Sequence, residues 1–156
     1  MLTPDGPKVI EYNCRFGDPE TQVVLPLLQS DLLQIMLACT NGTLADTEVQ
    51  FSDGAAACVI LASGGYPVAY EKGKPISGLV DGQLPDEENV TVYHSGTALT
   101  EDGQLVTNGG RVLGVTATAA TLPEALKKAY AATESIHFDK LHKRSDIGAR
   151  ALAAMQ

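Results

Sequence analysis

Residues 8–22 read Lys8-Val9-Ile10-Glu11-Tyr12-Asn13-Cys14-Arg15-Phe16-Gly17-Asp18-Pro19-Glu20-Thr21-Gln22. From Lys8 to Phe16 the pattern is that of a strand, with a period of two. Ile10, Tyr12, Cys14 and Phe16 fall on an apolar face fit for a core. Val9, Glu11, Asn13 and Arg15 fall on the other, which sets a carboxylate, an amide and a guanidinium in one row. A merely solvated face more often shows Lys, Thr and Glu. Gly17 ends the strand. Asp18 reads as a helix N-cap with Pro19 at the first helical position, and Pro26 limits that helix to about two turns.

Working outward, Ser30 is placed to cap a second helix. Leu32, Ile35, Met36 and Cys39 form its apolar stripe at i, i+3, i+4 and i+7, and Asn41-Gly42 closes it. Residues 41–54 are polar and rich in Thr, Asp and Gly, which marks a domain boundary. One strand and two helices cannot build a sheet, so the strand over 8–16 requires partners from elsewhere.

The remainder reads differently. Ala55 to Ala62 is a buried strand bounded by glycines. Gly64-Gly65-Tyr66-Pro67 is a loop, and 71–89 carries turns and acids with little periodicity. Val90–His94 alternates as a strand, Glu101-Asp102-Gly103 signals a turn, and Gln104–Thr107 is a short strand. Asn108-Gly109 predicts a tight type I′ hairpin joining it to a strand from Arg111 to Ala117. Thr121-Leu122-Pro123-Glu124 is a capping box. It opens a helix that buries Leu122, Leu126, Ala129, Tyr130 and Thr133. Residues 136–156 predict a last strand and a basic tail. The fold class is α+β: a strand with two helices over 1–50, then a small β-rich, hairpin or barrel-like unit with one helix over 51–156.

Composition narrows the function. The chain has 156 residues, 44% hydrophobic and 19% charged, which excludes intrinsic disorder as the main state. No apolar run reaches the roughly 20 residues a bilayer span needs. The net charge of −8 disfavours a nucleic-acid partner. Cys14, Cys39 and Cys58 are odd in number, have no Cys-x-x-Cys spacing and sit among apolar neighbours. They read as small hydrophobes in a reducing cytoplasm, not as a disulfide framework or zinc site. His94, His137 and His142 are too scattered for a metal cluster. No secretion signal opens the sequence, so a cytoplasmic protein is expected.

The row on the first strand has chemical meaning. Glu11 and Asn13 project from one face and offer hard oxygen donors. Magnesium prefers these and takes few from protein when nucleotide phosphates complete its octahedron. Arg15, one pleat on, carries a planar fork that matches phosphate oxygens. The bland reading of Glu-x-Asn-x-Arg is an edge strand with solvated side chains.

The longer string Glu11 to Gln22, twelve consecutive residues, resembles the metal-binding strand of ATP-grasp ligases. More narrowly it resembles the phosphoribosylamine–glycine ligase family, also called glycinamide ribonucleotide synthetases. Gly64-Gly65-Tyr66-Pro67, His94-Ser95-Gly96-Thr97, Thr107 to Leu113 and Arg144 to Gly148 continue the resemblance in order, through that family's C-terminal domain. The resemblance implies that residues 1–50 end an ATP-grasp domain and 51–156 form the β-rich C-terminal domain.

It also implies an activity in purine biosynthesis: joining glycine to 5-phosphoribosylamine with ATP as substrate, through a glycyl-phosphate. By position, Glu11 and Asn13 would hold Mg²⁺ or Mn²⁺, and Arg15 would stabilise the transferring phosphoryl. Asp18 would meet a substrate amine or ribose hydroxyl, unless N-capping is its whole role.

No G-x-x-x-x-G-K-[ST] and no G-x-G-x-x-G occurs here. The family's nucleotide-covering loop and N-terminal domain are absent, so the chain alone is expected to be inactive. Alone it should also expose Ile10, Tyr12 and Phe16, which favours a homodimer or swapped assembly. Two other readings stay open: another ATP-grasp carboxylate–amine ligase or carboxylase, and a free-standing, non-catalytic assembly module.

Overall fold

The computed structural model describes residues 1–85 and 87–155; Asp86 and Gln156, within the predicted turn region and tail, lie outside them. The strands are β1 (Leu2–Thr3), β2 (Gly6–Pro7), β3 (Ala55–Ala62), β4 (Val90–His94), β5 (Thr97–Leu99), β6 (Leu105–Thr107) and β7 (Arg111–Ala119). The helices are α1 (Thr21–Val24), α2 (Leu32–Asn41), α3 (Leu122–Thr133) and α4 (Ala149–Ala154), with short 3₁₀ turns at Leu25–Leu27 and Leu44–Asp46. The fold is α+β.

Its centre is an antiparallel sheet in the order β3-β7-β4. The two outer strands are those the apolar run over 55–62 and the alternation over 90–94 predict. Val59, Val115 and Val92 lie side by side across the three strands and are almost wholly buried. On that face Ala57, Val59 and Ala117 pack with Ala125, Leu126 and Ala129 of α3, while Leu61, Leu113 and Val115 join Ala132, Ile136 and Phe138. The predicted capping box is present: Glu124 N–H donates to the Thr121 hydroxyl and Thr121 N–H to the Glu124 carboxylate. Leu126, Ala129 and Thr133 are buried as expected, with Ala125 and Ala132 beside them, whereas Leu122 and Tyr130 are only half-buried.

The second hairpin differs from expectation. β6 pairs with β5, not β7, through the turn at Glu101-Asp102-Gly103, where Gly103 has φ +82°. A type I′ turn needs positive φ at both central residues, and neither Asn108 nor Gly109 has it. Instead, Asn108 N–H donates to Gly96 O at 2.7 Å. A Cβ on Gly109 would lie 2.9 Å from Gly96 Cα. The pair marks a close approach of two loops, which local sequence cannot distinguish from a hairpin.

Residues 71–85 gain order from long-range pairing instead of periodicity. Ile76 N–H donates to Leu105 O, and Ser77 exchanges both backbone bonds with His137. Gly78, at φ +93°, lies against Ser135 so closely that a Cβ would sit 1.8 Å from its carbonyl oxygen. The last strand predicted after residue 136 is absent among the described residues. That stretch makes isolated bridges at His137 and His142 and ends in α4.

The first fifty residues depart most. Residues 8–16 form no strand, because the described chain offers them no partner. Ile10, Tyr12 and Phe16 are 71%, 79% and 59% exposed. Asp18 and Pro19 lie in a turn, and the N-cap of α1 is Glu20, with no side-chain cap. Asp31, not Ser30, caps α2, accepting Gln34 N–H at 3.1 Å. Ser30 instead accepts the N–H of Gln50 at 2.8 Å. The packed stripe of α2 is Leu32, Ile35 and Ala38, leaving Met36 and Cys39 exposed, while Gly42 closes the helix at φ +72° as predicted.

Candidate functional site

Glu11, Asn13 and Arg15 occupy an open, exposed segment that runs up to the turn at Asp18. Glu11 and Asn13 make no side-chain hydrogen bond or ion pair among the described residues, so their oxygens are uncommitted. Arg15 Nη1 donates only to the neighbouring Phe16 carbonyl, at 3.4 Å. The donors suit a hard divalent cation: one carboxylate and one amide oxygen, with the Cys14 thiol between Asn13 and Arg15 assigned to the opposite face by the period-two alternation. No group of three or more His, Cys, Asp and Glu gathers anywhere among the described residues.

Asp18 is the best-held residue of the stretch. Its carboxylate accepts Gln22 Nε2 at 2.7 Å and lies 3.4 Å from Arg111 Nη2. Its main-chain carbonyl accepts Arg111 Nη1 at 2.6 Å. Pro19, Glu20 and Val23 border a cavity of about 260 Å³ with Cys58, Leu122 and Leu126. The row is thus tethered, just past its last member, to the start of β7. Nothing in the local sequence marks Arg111 for a role. Its partner is 93 residues away, and no local spacing announces that contact.

All three cysteines are free, and Cys14 and Cys39 are exposed, against the apolar surroundings predicted for them. Cys58 is half-buried, and that burial pushes its thiol pKa up. The His94 ring is held on both sides, by Gly82 O at 2.8 Å and Thr97 Oγ1 at 3.1 Å. A carbonyl only accepts, so Nε2 carries the proton. Arg144 and Asp146 form a bidentate ion pair, at 2.8 Å for each contact.

Two family models match this chain. Phosphoribosylglycinamide synthetase, C domain, covers residues 56–150, and the ATP-grasp (A) domain of the same synthetase covers residues 1–21. The chain belongs to the phosphoribosylglycinamide synthetase family. The ATP-grasp match ends just past the Glu11–Asp18 stretch, and the C-domain match holds the sheet that carries Arg111.

Similar curated synthetases agree. Phosphoribosylamine–glycine ligase of Synechocystis sp. is 49% identical over 97% of this chain and 36% of its own length. That of Chlorobaculum tepidum is 51% identical over 97% of this chain and 35% of its own. A trifunctional purine biosynthetic protein of Gallus gallus is 51% identical, covering 98% of this chain and 15% of that protein. The crystal structure of phosphoribosylamine–glycine ligase from Thermotoga maritima superposes with a TM-score of 0.72 at 38% identity, over 94% of this chain and 34% of that one. The chain therefore spans about a third of the length of the single-function ligases it matches. No helix among the described residues is long and apolar enough to cross a membrane.

Proposed function

We propose that this chain is the C-terminal third of a phosphoribosylamine–glycine ligase, with residues 1–50 closing the ATP-grasp domain and 51–156 forming the C-terminal domain. The observation that carries the reading is the alignment of 97% of the chain, at about half identity, with ligases of that name. The reaction joins glycine to 5-phosphoribosylamine in purine biosynthesis. A glycine carboxylate oxygen attacks the γ-phosphorus of ATP and ADP leaves. The phosphoribosylamine nitrogen then attacks the acyl carbon, loses a proton, and phosphate departs with the former carboxylate oxygen.

This chain's contribution is electrostatic and positional, as phosphoryl transfer requires. Glu11 and Asn13 would hold the divalent cation, Mg²⁺ or Mn²⁺, with oxygens that no side chain among the described residues engages. That cation, when bound, neutralises phosphate charge. Arg15 directs its fork to the transferring phosphoryl, where a bidentate contact gives geometry as well as charge. The carboxylate of Asp18 is engaged by Gln22 and Arg111, which supports a holding role for it over contact with a substrate amine or hydroxyl. The preceding part of the ligase supplies strand partners for 8–16 and the loop that covers the nucleotide. The site of action is the cytoplasm, which the absence of disulfides among three cysteines supports.

A fusion tests the reading. With this chain in place of the last third of the Synechocystis ligase, glycinamide ribonucleotide should form from glycine, phosphoribosylamine and ATP, while the 156-residue chain alone should form none. A correctly folded but inert fusion, or turnover by the chain alone, overturns it. Separately, the exposed Ile10, Tyr12 and Phe16 favour self-association of the isolated chain. Sedimentation should show a dimer or larger species that Tyr12→Lys with Phe16→Lys dissociates, and a monomer at all concentrations contradicts this.

A further inference from the structure

The guanidinium of Arg111 spans a single residue on the far side of the molecule's sequence. Nη1 donates to the Asp18 carbonyl at 2.6 Å and Nη2 faces the Asp18 carboxylate at 3.4 Å. Both side chains are about 40% exposed, so the ion pair itself adds little stability. What it fixes is geometry.

Arg111 opens β7, the central strand of the sheet, and its own placement is tightly determined. The β3–β7 register slips between Leu61 and Ala62, so Leu61 opposes Leu113 while Ala62 opposes Arg111 and Val112 is the extra residue. Such a bulge re-aims the side chain beside it. The preceding residues are pinned as well. Ser63 N–H and Oγ donate to Gly110 O and Gly109 O, each at 2.8 Å. The Tyr66 ring lies against Gly110. The segment 8–16, by contrast, has no strand partner among the described residues. Its nearest firm anchor after Arg15 is Asp18.

On the ligase reading above, we propose that Arg111 is a positioning residue for the row Glu11, Asn13 and Arg15. Carried on a rigid strand, it sets the place of the turn from which that row extends. A lysine keeps the charge but cannot bond carbonyl and carboxylate together in one plane. A misplacement of about 1 Å at a reacting centre costs on the order of a hundredfold in rate.

The test compares Arg111→Lys, Arg111→Met, Asp18→Asn and Arg15→Lys in the full-length ligase carrying this segment. Arg111→Met should lower kcat on the order of a hundredfold, with the KM for phosphoribosylamine little changed. Arg111→Lys should recover only part of the loss. Arg111→Met combined with Asp18→Asn should be no slower than Arg111→Met alone. A raised phosphoribosylamine KM with kcat retained makes Arg111 a substrate ligand and overturns the inference, as does full kcat in Arg111→Met while Arg15→Lys is impaired. If Arg15→Lys is itself unimpaired, the ligase reading of the row fails instead.

A second readout needs no turnover. Thr21 N–H donates to Gly17 O at 3.1 Å, within the clamped turn. Its hydrogen exchange should quicken in Arg111→Met while that of Val115 in the sheet stays slow. Unchanged exchange at Thr21 overturns the clamp whatever the chemistry.

Discussion

The Tyr130 hydroxyl accepts the backbone N–H of Ile147 at 2.9 Å and donates to the Arg144 carbonyl at 3.0 Å. One phenol on α3 thereby closes the Arg144–Gly148 loop, and Ile147 and Leu152 then pack beside Leu126 and Ala129. Tyr130→Phe keeps the ring and removes both bonds, leaving a part-buried N–H unpaired. A loss of about 1–3 kcal/mol is expected. Chemical denaturation measures it, and hydrogen exchange should show early opening confined to the residues after 142. A stability equal to the parent's would mean that water replaces the hydroxyl without cost.

Gly110 has a requirement that its motif alone does not reveal. A Cβ there would lie 2.1 Å from Tyr66 Cδ2, in the body of the ring. The ring or the strand must shift, and overpacking of this kind costs about 1–3 kcal/mol. Gly110→Ala should therefore lower the unfolding midpoint, and adding Tyr66→Ala should return part of the loss. If the double variant is less stable than the sum of the two single changes predicts, the Tyr66 ring is not the obstacle.

Acid should weaken the fold through surface carboxylates. Lys143 holds the Glu134 carboxyl pKa down, Arg144 does the same for Asp146, and Lys74 for Glu71. A group whose folded pKa is depressed stabilises above its unfolded value and loses that contribution as pH falls through the folded one. Melting temperature should therefore fall below about pH 4, the ordinary carboxylate range, and less steeply in Glu134→Gln combined with Asp146→Asn. Lys74, raised by Glu71 and then Asp139, has the opposite sign: its contribution is complete at neutral pH and goes only in strong alkali. Added salt should shrink the acid effect because these pairs are exposed. A melting temperature flat from neutral pH to about pH 3 would contradict the assignment.

The central sheet and α3 were legible because their signals are local. The apolar run over 55–62, the alternation over 90–94 and the capping box at Thr121 each state their structure within a few residues. The failures share one cause, a partner distant in sequence. Alternation over 8–16 reads as a strand, yet a strand exists only where another pairs with it. Asn108-Gly109 has hairpin chemistry, but Gly96 claims its backbone. Asp18-Pro19 has the grammar of a helix start, but Arg111 claims the carboxylate. At the site, the residue types Glu11, Asn13 and Arg15 could be named from chemistry and resemblance. Arg111 could not be placed, because its role follows from a register slip between β3 and β7.

The most direct measurement is glycine- and phosphoribosylamine-dependent ADP formation by the full-length ligase with Glu11→Gln, against its parent at saturating ATP and divalent cation. The change keeps size and removes the charge that a hard cation needs. Turnover should fall by about a hundredfold or more, the scale of losing a preorganised electrostatic group, with the melting temperature unchanged. Near-parental turnover would contradict the claim that this row holds the metal and serves the phosphoryl transfer.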